Sequence, residues 1–243
     1  MENLSPRQSQ ILKSIIEEYI ETAEAVGSET LDKKCNLGVS PATLRNEMVR
    51  LTNMGFLKQS HTSAGRCPTP LGLKLYVSSM MKSENLSVAE EVAVKEKIWD
   101  YRFEFDRLLR ETTKALAQKT KSLAISTTDK GDIYYSGTAN ILDIPEFYDI
   151  DLTKAVLSLL DRFDYWQKLF DRSGDETEIH VLLGDELGMQ YLEPCGYIYT
   201  KFKAGTEHQG TLGIIGPTRF HYSTAIPTVR YFGELIEEIS RSW

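Results

Sequence analysis

The stretch from residue 39 to 69, VSPATLRNEMVRLTNMGFLKQSHTSAGRCPT, constrains the fold more than any other part of this 243-residue sequence. It opens with Ser40 and Pro41, an N-cap residue followed by the residue best suited to the first helical position. Apolar residues then follow at helical spacing, at Leu44, Met48 and Leu51. This spacing predicts a short helix with one buried stripe. Gly55 is suited to the left-handed conformation that commonly ends a helix.

The opposite side of this helix and the segment behind it carry donors for phosphates and base edges. After Gly55 the sequence predicts a short hairpin from Phe56 to His61, with a turn at 63–65 and Arg66 on the return. A capped helix followed by a basic hairpin is typical of a winged helix-turn-helix, whose helix enters the major groove while the hairpin contacts the backbone or the neighbouring groove. The expected DNA contacts are Ser40, Thr43, Arg45, Asn46, Arg50, Lys58, His61, Thr62, Ser63, Gly65 and Arg66.

These residues are expected to play two different parts. Arg45 and Asn46 lie one turn past the capped helix start, so we expect them to contact bases. Lys58 and Arg66 lie on the hairpin, where we expect phosphate contacts. The small residues at 63–65 suit a tight turn, and they also let the hairpin backbone approach a phosphate.

Charge is distributed unevenly along the chain. The net charge is −7, yet residues 40–77 contain five basic residues and a single acidic one, Glu47. Chance clustering of surface charge is the simple explanation, whereas a local positive face on an acidic protein suits a regulator that must not coat DNA indiscriminately. No apolar run approaches the length of a bilayer span, and MENLSPRQ lacks the features of a signal peptide. Three isolated cysteines suggest neither disulfides nor a zinc site, so we expect a cytoplasmic protein.

The residues before this stretch complete a small domain. Ser5, Pro6 and Gln8 form a capping box that opens an amphipathic helix over 4–22. A turn then leads to Ser28 and a short helix that ends near Cys35.

Several strings resemble the N-terminal domain of the HrcA family, heat-inducible transcription repressors of bacterial chaperone operons. They are VGSETL at 26–31, GVSPATLRNEMVRL at 38–51 and HTSAGRCPTPLG at 61–72. Cys67 stands where the family is expected to have an aliphatic residue. The resemblance implies double-stranded DNA with an inverted-repeat operator as the partner. It also implies folding support from the bacterial chaperonin, whose titration by unfolded protein would relieve repression.

The middle of the chain is expected to be a linker over 78–90 and a helix over 91–120. That helix has a heptad-like stripe, formed by Ile98, Tyr101, Phe105, Leu108, Thr112 and Ala115. The stripe can pack on its own domain or on a second copy. Because the chain contains one DNA-binding domain and inverted repeats are bound by two, we expect a homodimer that uses this helix and the C-terminal domain.

From residue 122 the pattern predicts an α+β domain with a largely antiparallel sheet. We expect a hairpin around 129–131 and a helix from Asp151 to about Arg172. Strands are expected over 179–184, 196–202 and 211–216, and a last helix over about 224–241. SGTANILDIPEF at 136–147 and the C-terminal segment are similar to the second HrcA domain, which is GAF-like. Family members usually carry an inserted dimerisation domain, which is largely missing here.

The sequence therefore predicts three parts: 1–77, a winged helix-turn-helix DNA-binding domain; 78–120, a linker and long helix; and 121–243, a GAF-like regulatory or dimerisation domain. We expect a non-enzymatic repressor without a cofactor or metal. Gly210, Gly213 and Gly216 match no phosphate-binding fingerprint, and no local catalytic motif surrounds Cys195. The alternatives are a winged-helix protein-interaction module without DNA binding and a ligand-gated repressor that uses a GAF-like pocket.

Overall fold

The computed structural model describes residues 4–35, 38–59, 65–172 and 179–241. The chain divides into two compact units, Met1–Lys82 and Ser83–Trp243.

The first unit consists of short helices and a small hairpin. Its elements are α1 (Pro6–Thr22), α2 (Ser28–Cys35), α3 (Pro41–Asn53), β1 (Leu57–Lys58), β2 (Cys67–Pro68) and α4 (Pro70–Ser79). The two strands pair antiparallel. The predicted capping box is present at Ser5 and Gln8. The apolar face of α1 is buried with the stripe of α3, and it comprises Ile11, Leu12, Ile15, Ile16 and Ile20.

The second unit combines helices with a five-stranded sheet. Its helices are α5 (Val88–Trp99), α6 (Phe105–Thr120), α7 (Ile150–Ser158), α8 (Phe163–Arg172) and α9 (Tyr222–Ser240). Its strands are β3 (Leu123–Thr128), β4 (Ile133–Ser136), β5 (His180–Leu183), β6 (Cys195–Ala204) and β7 (His208–Pro217). The strand order is β4-β3-β7-β6-β5, and every neighbouring pair is antiparallel. The α+β class and the antiparallel sheet are therefore confirmed.

Helices cover both faces of this sheet. On one face Leu123, Ile125 and Tyr197 pack with α7 and α8, whose Trp166 ring meets the Tyr197 ring edge-on at 5.2 Å. On the other face α6 and α9 cover the sheet, and the hydroxyls of Thr113 and Ser126 lie 2.5 Å apart. Because both faces are covered, all six residues of β3 are buried.

The prediction of one helix over 91–120 is wrong. The chain forms α5 and α6, joined by a turn at 100–104 in which backbone N–H groups bond three residues back. The Arg102 guanidinium lies over the rings of Trp99 and Phe103 in this turn. Within the predicted stripe, Ile98, Leu108 and Thr112 are buried inside the unit. These three residues therefore pack on their own domain, and the use of this stripe in a dimer interface stays a prediction.

Two further boundaries differ from the predictions. The expected helix from Asp151 is capped instead by Asp149, whose Oδ1 accepts from the backbone N–H groups of Asp151 and Leu152. It ends at Ser158, and a 3₁₀ turn precedes α8, with the Trp166 indole donating to the Leu159 carbonyl at 2.7 Å. The expected linker shortens to 80–87 because α4 runs to Ser79 and a capping box at 87–90 opens α5.

The three glycines of β7 serve close packing. A Cβ atom on Gly210 would lie 1.9 Å from the Thr127 carbonyl oxygen, and one on Gly213 would lie 2.5 Å from the Ile198 oxygen. One on Gly216 would come within 2.7 Å of the Phe220 ring. The absence of side chains at these positions lets the neighbouring strands and Phe220 approach closely.

Candidate DNA-binding surface

Helix α3 forms as its sequence predicts. The Ser40 hydroxyl accepts from the Thr43 backbone N–H at 3.2 Å, so it caps the helix start. The buried stripe consists of Leu44, Met48 and Leu51. At the other end Gly55 has a φ of +82°, the left-handed conformation predicted for it.

The outward side of α3 is polar at its edges and apolar within. Five exposed residues, Ala42, Arg45, Asn46, Val49 and Arg50, form what we call the α3 face, and Pro41 and Asn53 are exposed at the two ends of the helix. Thr43 is half-buried, and its hydroxyl lies 3.0 Å from that of Ser40. Thr43 and Ser40 thus serve the helix start, whereas Arg45 and Asn46 extend from the surface as expected for base contacts.

Glu47, the single acidic residue between 40 and 77, points inward. Its side chain is 11% exposed and accepts from Gln8 Nε2 at 3.0 Å and from Arg50 Nη1 at 2.8 Å. The Arg50 side chain remains 66% exposed. The carboxylate therefore ties α1 to α3, and the α3 face presents the Arg45 charge without an acidic side chain beside it.

The hairpin places one of its predicted contacts on the surface. Lys58 pairs with Cys67 across the two strands and is exposed. His61, Thr62 and Ser63, together with most of the predicted turn, lie outside the described residues.

Arg66 lies deeper than the sequence suggested. Its backbone N–H donates to the Val26 carbonyl at 2.9 Å and its own carbonyl accepts from Val26 at 3.0 Å, an isolated antiparallel bridge. The half-buried side chain donates from Nε to the Thr52 hydroxyl at 3.1 Å. Arg66 therefore anchors the return strand of the hairpin to α3 and to the turn before α2.

Gly65 makes that anchor possible. A Cβ atom built on it would lie 2.3 Å from both the carbonyl carbon and the oxygen of Val26. This position tolerates no side chain because the opposing atoms belong to the backbone. The sequence predicts that small residues here let the backbone approach a phosphate, and the close approach made by Gly65 is to the protein's own chain.

Two members of the α3 face were missed from the sequence. Val49 is 41% exposed although it lies among hydrophobic positions of the helix, and Ala42 is exposed in the first turn. Methyl groups on a helix in the major groove contact the C5-methyl of thymine. The sequence does contain a signal for their position. Ala42, Arg45 and Val49 are three and four positions apart, and residues with this spacing share one face of a helix.

Outside this surface the described residues include a buried cysteine, Cys195, with a shifted pKa. Burial raises the pKa of the Cys195 thiol to about 12, with Glu146 adding to the shift, so this cysteine carries almost no thiolate near neutral pH. Over the same described ranges, no cluster of His, Cys, Asp or Glu side chains is arranged to hold a metal ion. No helix traced there is long and apolar enough to cross a bilayer.

Comparison with known proteins identifies similar chains over almost the whole length. The family model described as the HrcA protein C-terminal domain matches residues 75–226. A heat-inducible transcription repressor HrcA from Desulforamulus reducens is 27% identical, covering 93% of this chain and 94% of the relative. A protein of the same name from Clostridium perfringens is 28% identical, covering 98% of both. A crystal structure of a hypothetical protein at 2.2 Å resolution has the same fold, with a TM-score of 0.78, 17% identity and 99% of both chains covered.

The relatives contain residues that this chain lacks. The alignment with the Clostridium perfringens repressor spans 340 positions, and the present chain has 243 residues, so at least 97 positions (340 − 243) face gaps in it. This agrees with the expectation of a shortened middle.

Proposed function

We propose that this chain, which belongs to the HrcA family, represses transcription by binding a double-stranded operator through a winged helix-turn-helix. The curated relatives named above are heat-inducible transcription repressors. In the proposed arrangement α2 and α3 form the helix-turn-helix, α3 is the recognition helix and the β1–β2 hairpin is the wing. The observation that carries the proposal is the α3 face, where Arg45 and Asn46 are exposed while Glu47 is turned inward.

The dimensions and chemistry of α3 suit this role. A helix of 13 residues is about 20 Å long, and the major groove, about 12 Å wide, admits one helix. Arg45 is suited to guanine O6 and N7, Asn46 to adenine, and Val49 to a thymine methyl group. Arg50 is held by Glu47 at the far end of the face, where it contacts a phosphate.

The hairpin is proposed to contact the DNA backbone. Lys58 is its exposed cation among the described residues, while Arg66 holds the hairpin in place. Ser40 and Thr43 bring the start of α3 and its positive dipole end near a phosphate. His61, Thr62 and Ser63, which lie between β1 and β2 in the sequence, complete the proposed set of contacts together with Gly65.

The other proposals concern assembly and regulation. We propose a cytoplasmic homodimer that binds an inverted repeat, in which residues 1–77 bind DNA, 78–120 connect, and 121–243 form a GAF-like domain that regulates or dimerises. The helical segment 91–120 and the surface of residues 121–243 are proposed to provide the dimer contacts. The bacterial chaperonin is proposed as the partner that supports folding of the repressor.

Fluorescence anisotropy with DNA from upstream of the host's chaperone operons tests the function, at stated salt concentrations. We expect binding to an intact inverted repeat to be about 10³-fold or more tighter than binding to scrambled DNA. In a third DNA the two half-sites are moved apart by half a helical turn. The protein should lose most of its preference for this DNA over scrambled DNA, because two recognition helices need half-sites at a fixed spacing. Equal affinity for intact and scrambled DNA would contradict the proposal.

A separate prediction concerns the hairpin. Lys58→Ala should weaken binding to intact and scrambled DNA alike, because a phosphate contact carries no sequence information. Because the proposed homodimer loses one such contact in each protomer, the slope of log K against log salt should become shallower by about 1.8, which is about 0.9 per contact. Arg230→Ala, which removes an exposed arginine of α9, is the control and should leave both quantities unchanged. A loss of affinity for the intact operator alone would instead show that Lys58 contacts bases.

A further inference from the structure

A cavity in the second unit lies where the end of α6, the end of β7 and the start of α9 meet. Its volume is about 440 Å³, within the range of sites for small organic ligands. The apolar part of its wall is formed by Ile144, Ile214, Pro217, Phe220 and Ala225. This wall suits the apolar body of a small molecule.

The charged lining of the cavity is entirely basic. It comprises Lys119, Lys121, Arg219 and His221, and no acidic residue lines the cavity. Lys119 forms an ion pair with Glu90, and Arg219 binds Glu146 through Nε at 2.5 Å and Nη2 at 3.0 Å. These carboxylates offset two of the positive charges.

Lys121 is the cation that lacks such compensation. Within the described residues its ammonium group makes no hydrogen bond or ion pair, and the residue is exposed. Its backbone ends α6 with a φ of +49°, in the left-handed region that glycine adopts without a steric cost. This conformation ends α6 and leaves Lys121 in the wall of the cavity.

The start of α9 adds a second source of positive potential. Thr224 and Ala225, in the first turn of this 19-residue helix, line the same cavity. No side chain caps the helix start at His221, and no acidic residue lies in the first turn. The partial positive charge of the helix end is therefore not neutralised locally and favours an anion.

We propose that this cavity binds a small organic anion, a phosphate monoester or carboxylate on an apolar body, with Lys121 contacting the anionic group. The apolar wall receives the body of the ligand and the α9 start faces its charge. The proposal concerns the second unit alone and does not depend on DNA binding by the first.

Titration calorimetry of the full chain tests the site with phenyl phosphate and benzoate as probes. At least one of these two anions should bind. Benzyl alcohol has a similar aromatic ring but no charge, so it should bind at least about tenfold more weakly because it lacks the charge-assisted contact. Preference between the two probes identifies the anionic group. Inorganic phosphate should bind more weakly than phenyl phosphate if the apolar wall takes part.

Lys121→Gly separates a ligand role from a structural one. Because the variant lacks the ammonium group, its affinity for the anionic probe should fall about tenfold. Because glycine adopts the left-handed conformation without strain, the Tm of the unliganded unit should rise by about 2–4 °C. Lys121→Arg should retain binding. Lys97→Ala removes another exposed lysine that lies away from the cavity and should leave the affinity unchanged.

Several results would overturn the proposal. These are binding of neither probe by the wild-type chain, equal binding of benzyl alcohol, and unchanged probe affinity in Lys121→Gly. A lower Tm for Lys121→Gly would show that the lysine stabilises the fold, and would also refute the assignment. None of these measurements uses DNA, so their failure is distinguishable from failure of the repressor function.

Discussion

Replacement of both Arg45 and Asn46 by alanine is expected to reduce affinity for the intact operator by about 100-fold or more. Each side chain is exposed on the α3 face, and a good bidentate base contact provides about 1–3 kcal/mol of discrimination. Affinity for scrambled DNA should fall far less, because non-specific binding depends on phosphate contacts. The ratio of the two affinities, measured by anisotropy, is therefore the informative quantity.

The double variant should also keep its fold. Neither side chain belongs to the buried stripe, and alanine has a high helix propensity. Unchanged far-UV circular dichroism and Tm would establish this, and Arg230→Ala again provides a matched loss of surface charge. An unchanged affinity ratio would show that Arg45 and Asn46 do not read the operator, even if the protein still binds DNA.

Local signals account for the parts of the fold that the sequence predicted well. The start of α3 depends on Ser40 and Pro41, and its end on Gly55, all within 16 residues of one another. The hairpin of β3 and β4 likewise depends on adjacent alternating segments and a turn at Gly131. Such elements are readable because the residues that stabilise them are neighbours in the chain.

Tertiary contacts decided the features that the sequence did not reveal. The turn between α5 and α6 contains neither glycine nor proline, and only folding of α6 against the sheet makes the break favourable. Arg66 looked like a surface cation, but its partners Val26 and Thr52 are 40 and 14 positions away. The inward position of Glu47 depends on Gln8, which lies on another helix and donates to its carboxylate.

The same distinction applies to the candidate DNA-binding surface. Arg45, Asn46 and Lys58 are exposed, as helical and hairpin periodicity suggested. Periodicity could not show that Gly65 is needed by the protein's own backbone, because this requires the position of the turn at 25–26. A glycine that matches a family motif beside a proposed ligand surface can thus also have a structural purpose.

Gly65→Ala is accordingly expected to destabilise the first unit severely. The new methyl group would overlap backbone atoms of Val26, and relief requires loss of the bridge between Val26 and Arg66. Overpacking of this kind costs about 3 kcal/mol or more where neighbours cannot yield. For a unit of 82 residues this corresponds to a fall in Tm of at least about 10 °C. Gly27→Ala is the control, since the added methyl there meets nothing closer than 3.8 Å.

The position of the tryptophans allows the two units to be monitored separately. Trp99, Trp166 and Trp243 all belong to the second unit, so tryptophan fluorescence reports its unfolding, while far-UV circular dichroism reports both units. Gly65→Ala should introduce an early transition in the dichroism and leave the fluorescence transition unchanged. Operator binding should be lost with the early transition, because the hairpin and α3 are then no longer held together through Arg66 and Thr52. A Gly65→Ala protein as stable as Gly27→Ala would show that the hairpin base does not pack against the turn at 25–26.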